Sequence, residues 1–452
     1  MPLDPRRTLM APSPPRPKGD PLFGNARQYA TDPFRFLTAC ERAYGDVVRL
    51  DLGPLDTYML SDPDDIQQVL VADADSYVKP DFQDDAIGDL LGEGLLLSEG
   101  DTWRRQRDLA NPAFAMTRLG EFTDTIAGHA EAMVDDWADG QRRDVELDMT
   151  QVTLDVICDL MLDVELTDRQ REIIRENLEP IGARFEPDPI RFITPDWVPT
   201  PENREYRAAL EQLDDVVEQL IASRRGTEGD EDDPEKPMDV LSILLRARDR
   251  DEQSYRQLRD EVVTMLLAGH DTTALTLTYS WYLLANHPEV EQAVQAEADA
   301  VEGPVTFETV REFDLIERVI QEVMRLYPPV YVIFRQPTRD VELGGYDIPE
   351  GSAVMLPQWA VHRSPEWWDD PDKFDPDRWL DQGDRPRFAY FPFGGGPRHC
   401  IGKHLAMLEA QVILATVARE YSLDTDRSGR LQLRPSLTAH PRDGMPMTLA
   451  ER

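Results

Sequence analysis

The sequence predicts a mainly α-helical protein: one helix-rich unit with small peripheral β-sheets. Apolar residues recur at three- and four-residue spacing from Trp103 to about Ala222, which is typical of packed amphipathic helices. A long and more apolar helix is predicted from about Leu258 to Asn286. Strand patterns are confined to short segments. The 452 residues would allow about three domains of ~150 residues, but no internal repeat is apparent and one large fold can override that expectation.

A proline-rich lead-in, residues 1–20, is predicted before the main domain, residues 21–452, because its prolines block helix formation. The domain then opens with a helix over residues 32–45, started by Asp32 and Pro33 and stopped by Gly45. The segments VVRLDL and TYMLS, on either side of residues 53–56, predict a β-hairpin.

The helical region from Trp103 to Ala222 shows one apolar face in its middle, formed by Leu154, Ile157, Cys158, Met161 and Leu162. Cys158 lies on that face and Cys40 lies in another amphipathic helix, so we expect both to be small buried hydrophobes. Residues 226–237, GTEGDEDDPEKP, contain no hydrophobic residue and predict a solvated loop.

The C-terminal half contains two helices that end at prolines. The long helix ends at His287-Pro288, and a helix from about Leu315 to Tyr327 stops at Pro328-Pro329. The segment DVELGGYDIPEGSAVML, turning at Gly344-Gly345, predicts a second small sheet.

The chain is strongly acidic: 87 acidic residues against 48 basic ones give a net charge of −39, and 43 of the basic residues are arginine. A nucleic-acid binder needs a basic surface that replaces counterions on phosphate, so the composition argues against that class and against binding to anionic membranes. The scarcity of lysine resembles proteins of salt-accumulating cytoplasms, notably those of haloarchaea, where salt screens self-repulsion. An ordinary acidic enzyme is the alternative.

Three widely separated cysteines offer no disulfide framework and no Cys-x-x-Cys metal site, which favours a cytoplasmic location. The N-terminal residues contain no apolar run long enough for a signal peptide or membrane anchor. The longest apolar stretch, Val262 to Leu284, carries Gly269, His270 and Asp271 near its centre. A charged centre in an apolar helix more often marks a buried functional helix than a membrane span.

The most informative segment is FGGGPRHCIG, Phe393 to Gly402, which a helical pattern follows. Glycines let the backbone approach a bulky group closely, and we expect the helix to begin at Cys400. A sulfur at a helix N-terminus faces unpaired N–H groups and the positive end of the helix dipole, which stabilise thiolate. The segment therefore predicts an ionised, metal-binding cysteine.

This segment matches F-x-x-G-x-R-x-C-x-G, the haem-binding signature of the cytochrome P450 superfamily, at every fixed position. The chain resembles that family from about Pro15 to its C-terminus. The resemblance implies the cytochrome P450 fold and haem b with the Cys400 thiolate as axial ligand. It also implies that Phe393 packs beside the sulfur and that Gly402 contacts the cofactor.

A buried charged triad is implied by the same resemblance. Glu322 and Arg325 share one face of a predicted helix, and the segment around Arg378 looks like the family's source of a second arginine for the same glutamate. We expect a structural role for this triad and no catalytic one.

The long helix carries the motif Ala268-Gly269-His270-Asp271-Thr272-Thr273, which is similar to the family's motif on the distal side of the haem. The resemblance implies that Ala268 and Gly269 lie at the cofactor, where Gly269 removes side-chain bulk. It also implies that Asp271 and Thr272 deliver protons. A buried polar cluster without chemical function is the alternative, and His270 is expected to pack or hydrogen-bond and not to ligate iron.

Arginines and a tryptophan are expected to bind the haem propionates. Trp103 and Arg107 place an indole N–H and a guanidinium one helical turn apart, a spacing suited to one carboxylate. By resemblance, Arg335 and Arg398 are further propionate ligands. For Arg107 and its neighbours the alternative is a solvated helix face.

The predicted function is a haem-thiolate monooxygenase that inserts one atom of O₂ into an apolar substrate and reduces the other to water. Electrons must come from an external donor, a ferredoxin with its reductase, because the chain shows no flavin, nicotinamide or iron–sulfur motif. The alternatives are a haem-thiolate peroxygenase or isomerase, and a non-catalytic haem-binding sensor. Candidate donor contacts are Arg104, Arg105 and Lys403.

The resemblance places an apolar substrate pocket among five segments, and a lipid, terpenoid or fatty acid would suit it. The segments are residues 82–97, residues 185–192, Ala268, residues 330–333 and the turn near Leu437.

Overall fold

The computed structural model describes residues 13–53, 56–187, 198–229, 236–381 and 383–452, and the backbone alone at residues 84–86. Predictions for residues 1–12, for 54–55 of the hairpin turn, for 188–192 of the pocket and for 230–235 of the acidic loop lie outside the described residues.

Helices make up most of the described chain. They are α1 (Ala26–Thr31), α2 (Pro33–Tyr44), α3 (Pro63–Gln67), α4 (Asp81–Leu91), α5 (Gly100–Ala110), α6 (Leu119–Asp135), α7 (Val145–Ile157), α8 (Asp168–Ala183), α9 (Pro201–Arg224), α10 (Val240–Asp249), α11 (Tyr255–Ala285), α12 (Pro288–Asp299), α13 (Phe307–Val310), α14 (Asp314–Leu326), α15 (Gln358–Val361) and α16 (Lys403–Glu420).

The strands are short. They are β1 (Val47–Asp51), β2 (Asp56–Leu60), β3 (Tyr77–Val78), β4 (Arg142–Asp144), β5 (Ile333–Pro337), β6 (Val341–Leu343), β7 (Tyr346–Ile348), β8 (Ala353–Leu356), β9 (Tyr421–Asp424), β10 (Leu433–Pro435), β11 (Ala439–Pro441) and β12 (Pro446–Glu451).

Local signals determine the ends of the first long helix. The Asp32 carboxylate accepts the backbone N–H of Arg35 at 2.9 Å, and Gly45 closes α2 with a positive φ of 85°. The lead-in packs against the strand that follows, since Arg49 N donates to Pro15 O at 2.9 Å.

Helix α11 is the central element, and it contacts α7, α14 and α16. It begins three residues before the predicted start, because Ser254 and Gln257 form a reciprocal capping box. Its C-terminal half is almost wholly buried and includes Tyr279 and Trp281. The helix therefore forms the axis of the hydrophobic core.

The main sheet has five strands in the order β1-β2-β8-β5-β3, beside a three-stranded sheet (β4-β12-β9) and two hairpins (β6-β7 and β10-β11). The β1–β2 hairpin confirms the sequence prediction. The predicted second sheet is correct only for β6 and β7, which turn at Gly344 and Gly345. Strand β8 instead lies between β2 and β5, because all four of its side chains are apolar and buried.

Candidate active site

The loop before α16 is shaped by glycines that no other residue could replace. Gly394 and Gly396 have φ values of 67° and 66°, and a Cβ on Gly396 would lie 1.8 Å from the carbonyl oxygen of Leu70. The backbone N–H of Cys400 donates to the carbonyl of Phe393 at 2.9 Å, which closes the loop. The loop thereby presents Cys400, whereas the two other cysteines are buried.

Helix α16 starts at Lys403, three residues after Cys400, so the expectation that the helix begins at the cysteine is wrong. The Cys400 side chain is accessible but lies deep among protein atoms, and this burial raises the pKa of its thiol. The backbone N–H of Gly402 and the charges of Arg107 and Lys403 act in the opposite direction without outweighing burial. The protein alone therefore does not ionise Cys400, whereas a coordinating metal ion deprotonates a thiol outright.

Three cations crowd around a single carboxylate next to this loop. Arg398 pairs with Glu99 and donates to the carbonyl of Ser98 at 2.8 Å. Burial and the charge of Arg398 lower the pKa of Arg335 to about 10 and that of Lys79 to about 7. Like charges gathered in a partly buried place destabilise one another, so the cluster suits a dianionic group such as the two haem propionates.

Helix α5 adds two further donors to this region. The guanidinium of Arg398 lies 4.3 Å from the centre of the Trp103 ring, and Arg107 donates to the carbonyl of His399 at 3.0 Å. Arg107 therefore faces the cysteine loop, against the alternative of a solvated helix face. Sequence reasoning missed Lys79 and Glu99, which lie outside any motif; the rarity of lysine in this chain was the one available signal.

On α11, the Thr272 hydroxyl donates to the carbonyl of Ala268 at 3.3 Å, as Ser and Thr side chains do within helices. Ala268 is exposed although its neighbours along the helix are largely buried, which is the expected state of a residue lining a recess.

Gly269 has a packing role that sequence reasoning did not indicate. A Cβ on Gly269 would lie 2.6 Å from Cγ1 of Ile157, so the missing side chain lets α11 pack closely on α7. Its expected place at the cofactor stays a prediction. His270 is fully buried and its Nδ1 lies 2.5 Å from the carbonyl of Leu266, in agreement with the packing role expected.

The carboxylate of Asp271 is held by residues that sequence reasoning missed. The Thr438 hydroxyl donates to Asp271 Oδ2 at 2.7 Å, and His440 Nε2 lies 3.5 Å from Oδ1. The other ring nitrogen of His440 lies 2.9 Å from Glu146 Oε1. These partners are 125 to 169 residues away along the chain in either direction, so no local pattern could indicate them.

The predicted triad is present: Glu322 and Arg325 are fully buried, and the side chain of Arg378 is 9% exposed. Arg325 makes two bonds to Glu322, at 2.8 and 2.7 Å, and Arg378 donates to the same carboxylate at 2.8 Å. Trp379 Nε1 adds a further bond at 3.0 Å. Arg325 also donates to three backbone carbonyls between residues 362 and 373, which fixes the chain that leads to the cysteine loop.

Hydrogen bonds of backbone and side-chain groups hold the chain in and beside the predicted pocket segments. The loop after α4 is held to α11, since Glu93 N and Leu95 N donate to Asp260 and Glu261 at 2.9 and 2.7 Å. Ala439 N donates to Pro329 O, and Ser436 Oγ donates to Gly182 O at the end of α8. The turn at Leu437 thus joins α8, α11 and the segment before β5.

The fold and this site together define a haem-thiolate protein. The Cytochrome P450 family model matches residues 14–444. Cyclooctatin synthase of Streptomyces melanosporofaciens is 34% identical and the match covers 94% of this chain and 93% of that relative. The cyclooctat-9-en-7-ol 5-monooxygenase of the same organism is also 34% identical, with 90% and 88% covered. The crystal structure of the cytochrome P450DA haem domain superposes with a TM-score of 0.85 at 28% identity and covers 98% of both chains.

The chain belongs to the cytochrome P450 family. It is a haem-thiolate monooxygenase whose cofactor is haem b, and it needs an external electron donor. The residues present fit that cofactor: a cysteine offered by a loop and a cluster of cations short of negative charge. Among the described residues, no helix combines the length and the apolar character needed to cross a bilayer.

Proposed function

We propose that this monooxygenase hydroxylates a terpenoid. The observation that carries the proposal is apolar exposure on two of the predicted pocket segments: Leu96 and Leu437 are 40% and 43% exposed. Large apolar side chains left exposed within a concave site favour an apolar ligand. Relatives named cyclooctat-9-en-7-ol 5-monooxygenase and pentalenene oxygenase support the same class of substrate.

The bound haem supplies the activation of O₂, and the residues around it orient substrate and deliver protons. In this proposal Cys400 holds the iron, and Trp103, Arg107, Arg335 and Arg398 hold the propionates. Gly402, directly before α16, and Phe393, bonded to Cys400 through the backbone, shape the space beside the sulfur.

Asp271 and Thr272 form the proposed proton path on α11. The carboxylate is already hydrogen-bonded, and the Thr272 hydroxyl bonds only to its own helix, so it can turn to a ligand.

Electrons come, in this proposal, from a ferredoxin and its reductase docked on the face that carries Arg104, Arg105 and Lys403. A basic island on an anionic protein would attract an acidic partner, and salt would weaken that attraction. Charge reversal at these positions should slow electron transfer and flatten its salt dependence. Reversal at Arg169, an exposed arginine on α8, serves as the control.

In this proposal the enzyme works in a cytoplasm of high salt concentration, to which its acidic surface is suited. A net charge of −39 with few lysines is the observation behind that proposal.

Binding spectra test the substrate class. The ferric enzyme is titrated with a diterpene alcohol, a sesquiterpene hydrocarbon and a saturated C16 fatty acid, and the shift of the Soret band is followed. We expect the terpenoids to bind tighter than the fatty acid, and Leu437→Glu to abolish the shift while the spectrum of the reduced carbon monoxide complex stays intact. Tighter binding of the fatty acid, or silence of both terpenoids, would overturn the substrate class.

Turnover separates the competing functions. Product formed with O₂ and a surrogate ferredoxin supports the monooxygenase. Product formed from peroxide alone would favour a peroxygenase, and no turnover with either would favour a sensor.

A further inference from the structure

A chain of polar side chains leads from Asp271 to the edge of the molecule. Asp271 Oδ2 accepts from the Thr438 hydroxyl at 2.7 Å, and Thr438 Oγ1 lies 3.0 Å from His440 Nε2. On its other side, His440 Nδ1 lies 2.9 Å from Glu146 Oε1 at the start of α7. Three secondary-structure elements, α7, α11 and β11, therefore contribute to one continuous line of hydrogen bonds.

The donors and acceptors in this line fix where the protons are. The single hydroxyl proton of Thr438 is donated to the Asp271 carboxylate, so its oxygen must accept from His440 Nε2. The Glu146 carboxylate can only accept, so Nδ1 must donate as well. Both ring nitrogens of His440 then carry hydrogen, which makes the ring an imidazolium.

The charges that face His440 agree with this state. Burial lowers the pKa of His440, but the carboxylates of Asp271 and Glu146 outweigh burial, so the pKa lies above its ordinary value. Arg434 on β10 opposes them, and Arg434 is itself close to Glu179 and Glu186. His270 on α11 also faces the ring, and burial holds the pKa of His270 low.

We propose that His440 supplies, through the hydroxyl of Thr438, the proton that Asp271 delivers during oxygen activation. His440 passes the proton on Nε2 to Oγ1 of Thr438 as that hydroxyl passes its own proton to Oδ2 of Asp271. The imidazolium becomes a neutral imidazole that keeps its Nδ1 hydrogen on Glu146, and the Asp271 carboxylate becomes a carboxyl group. His440, whose side chain is 20% exposed, regains the proton from water.

This inference rests on the proposed role of Asp271. His440 and Thr438 are positioning residues that act through Asp271. A purely structural clamp of β11 onto α11 is the competing account, and only a proton relay requires a titrating ring and an intact hydroxyl.

The first test reads the ring directly and does not depend on activity. Nitrogen-15 NMR of the histidine ring in the diamagnetic reduced carbon monoxide complex, assigned with His440→Gln, should show both nitrogens protonated at pH 7. Glu146→Gln should lower the apparent pKa of the ring, because a close carboxylate that favours the imidazolium is lost. A His440 ring that is neutral at pH 7 in the parent enzyme would overturn the inference.

The second test reads coupling in the holoenzyme with its electron donor. Thr438→Val and His440→Gln should lower the product formed per electron by about tenfold, which is less than the loss expected when a general acid itself is removed. Both variants should also release more peroxide and show a larger solvent isotope effect. Thr438→Ser, which keeps the hydroxyl, should restore coupling. Equal impairment of Ser and Val at position 438, or an unchanged pH profile in His440→Gln, would overturn the relay.

Asp271→Asn separates failure of the relay from failure of the proposed role of Asp271. Full coupling in Asp271→Asn would remove that role and the relay with it. Loss of coupling in Asp271→Asn together with parent behaviour in His440→Gln would overturn the relay alone.

Discussion

Arg335 is a residue whose charge has opposite consequences with and without the cofactor. Without haem it faces Arg398 and Lys79 across a single carboxylate, and its pKa is lowered to about 10. With haem, two propionates would balance those charges. The same side chain should thus destabilise the haem-free protein and retain the cofactor in the loaded one.

Arg335→Gln should therefore raise the free energy of unfolding of the haem-free protein by about 1–3 kcal/mol, since a tenfold change in proton affinity corresponds to ~1.4 kcal/mol. The loaded variant should lose haem faster to an excess of apomyoglobin. Urea denaturation and haem-transfer rates measure the two effects. Arg339→Gln, an exposed arginine bonded to Ser76, should change neither. A less stable haem-free variant, or a loaded variant that keeps its haem as long as the parent does, would contradict this account of the cluster.

Residues were predictable where the chemistry follows a local motif and not where it depends on the fold. Cys400, Glu322 and Arg325 lie in short motifs, and the structure places the latter two as expected. Lys79 follows β3, Thr438 lies in the turn before β11 and His440 lies on β11, and only the packing of distant elements gives these residues a role. Gly269 shows a further limit, because its sequence context cannot tell which neighbour the missing side chain accommodates.

At the scale of elements, the contact between Gly269 and Ile157 determines how closely α11 packs on α7. A Cβ on Gly269 would lie 2.6 Å and 2.7 Å from Cγ1 and Cδ1 of Ile157. Real Cβ atoms do not approach so closely, so either the side chain of Ile157 or one of the two helices must shift.

Gly269→Ala should destabilise the fold by about 1–3 kcal/mol through overpacking. Ile157→Ala should cost on the order of 2–5 kcal/mol by leaving a cavity. The double variant should cost less than the sum, because the new methyl group fills part of that cavity. A double-mutant cycle of urea denaturation measures the coupling, with Gly128→Ala on α6, where a Cβ meets open space, as the control. Strict additivity would contradict the close packing.

The loop after α4 is tied to α11 by a carboxyl group that titrates near neutrality. Burial raises the pKa of Glu261 to about 7; the N–H of Leu95 acts against burial and the charge of Asp260 acts with it. Because the folded pKa lies above the unfolded one, the stabilisation is complete below about pH 4.5 and is lost as the pH rises to about 7.

Relative to Glu261→Gln, the parent enzyme should lose on the order of 3 kcal/mol of unfolding free energy between pH 5 and pH 8. Urea denaturation at several pH values measures the difference. The protection of the Leu95 amide, corrected for the intrinsic rise of exchange with pH, should fall more over this range in the parent than in the variant. If the unfolding free energies of the two proteins changed in parallel with pH, Glu261 would not be the group that titrates.

For the molecule as a whole, the net charge of −39 makes the folded state repel itself. Salt screens that repulsion almost completely once the Debye length is well below the spacing of the surface charges. The Debye length is ~3 Å at 1 M salt.

The free energy of unfolding in urea should therefore rise steeply between about 0.05 and 0.5 M KCl and level off above. Sucrose at matched osmolality screens no charge and should give no such early rise. A stability that is flat below about 0.5 M KCl would contradict the role given to the acidic surface.

At this scale the fold class was predictable because helix periodicity, capping residues and prolines act locally, as at Asp32, Gly45 and the prolines at 328 and 329. The place of β8 in the main sheet was not, since a strand buried on both faces carries no periodicity that tells which neighbours it pairs with.

Leu437 and Thr438 are consecutive residues of one tight turn, and they have different roles. Leu437 leaves its side chain exposed, and Thr438 donates a hydrogen bond to the carboxylate of Asp271 on α11. If the substrate contacts Leu437, as proposed, a ligand that displaces this turn also displaces the hydroxyl of Thr438. The position of the bound ligand is then coupled to the hydrogen bond from Thr438 to Asp271. A ligand that binds but fits poorly would therefore divert electrons from product to peroxide.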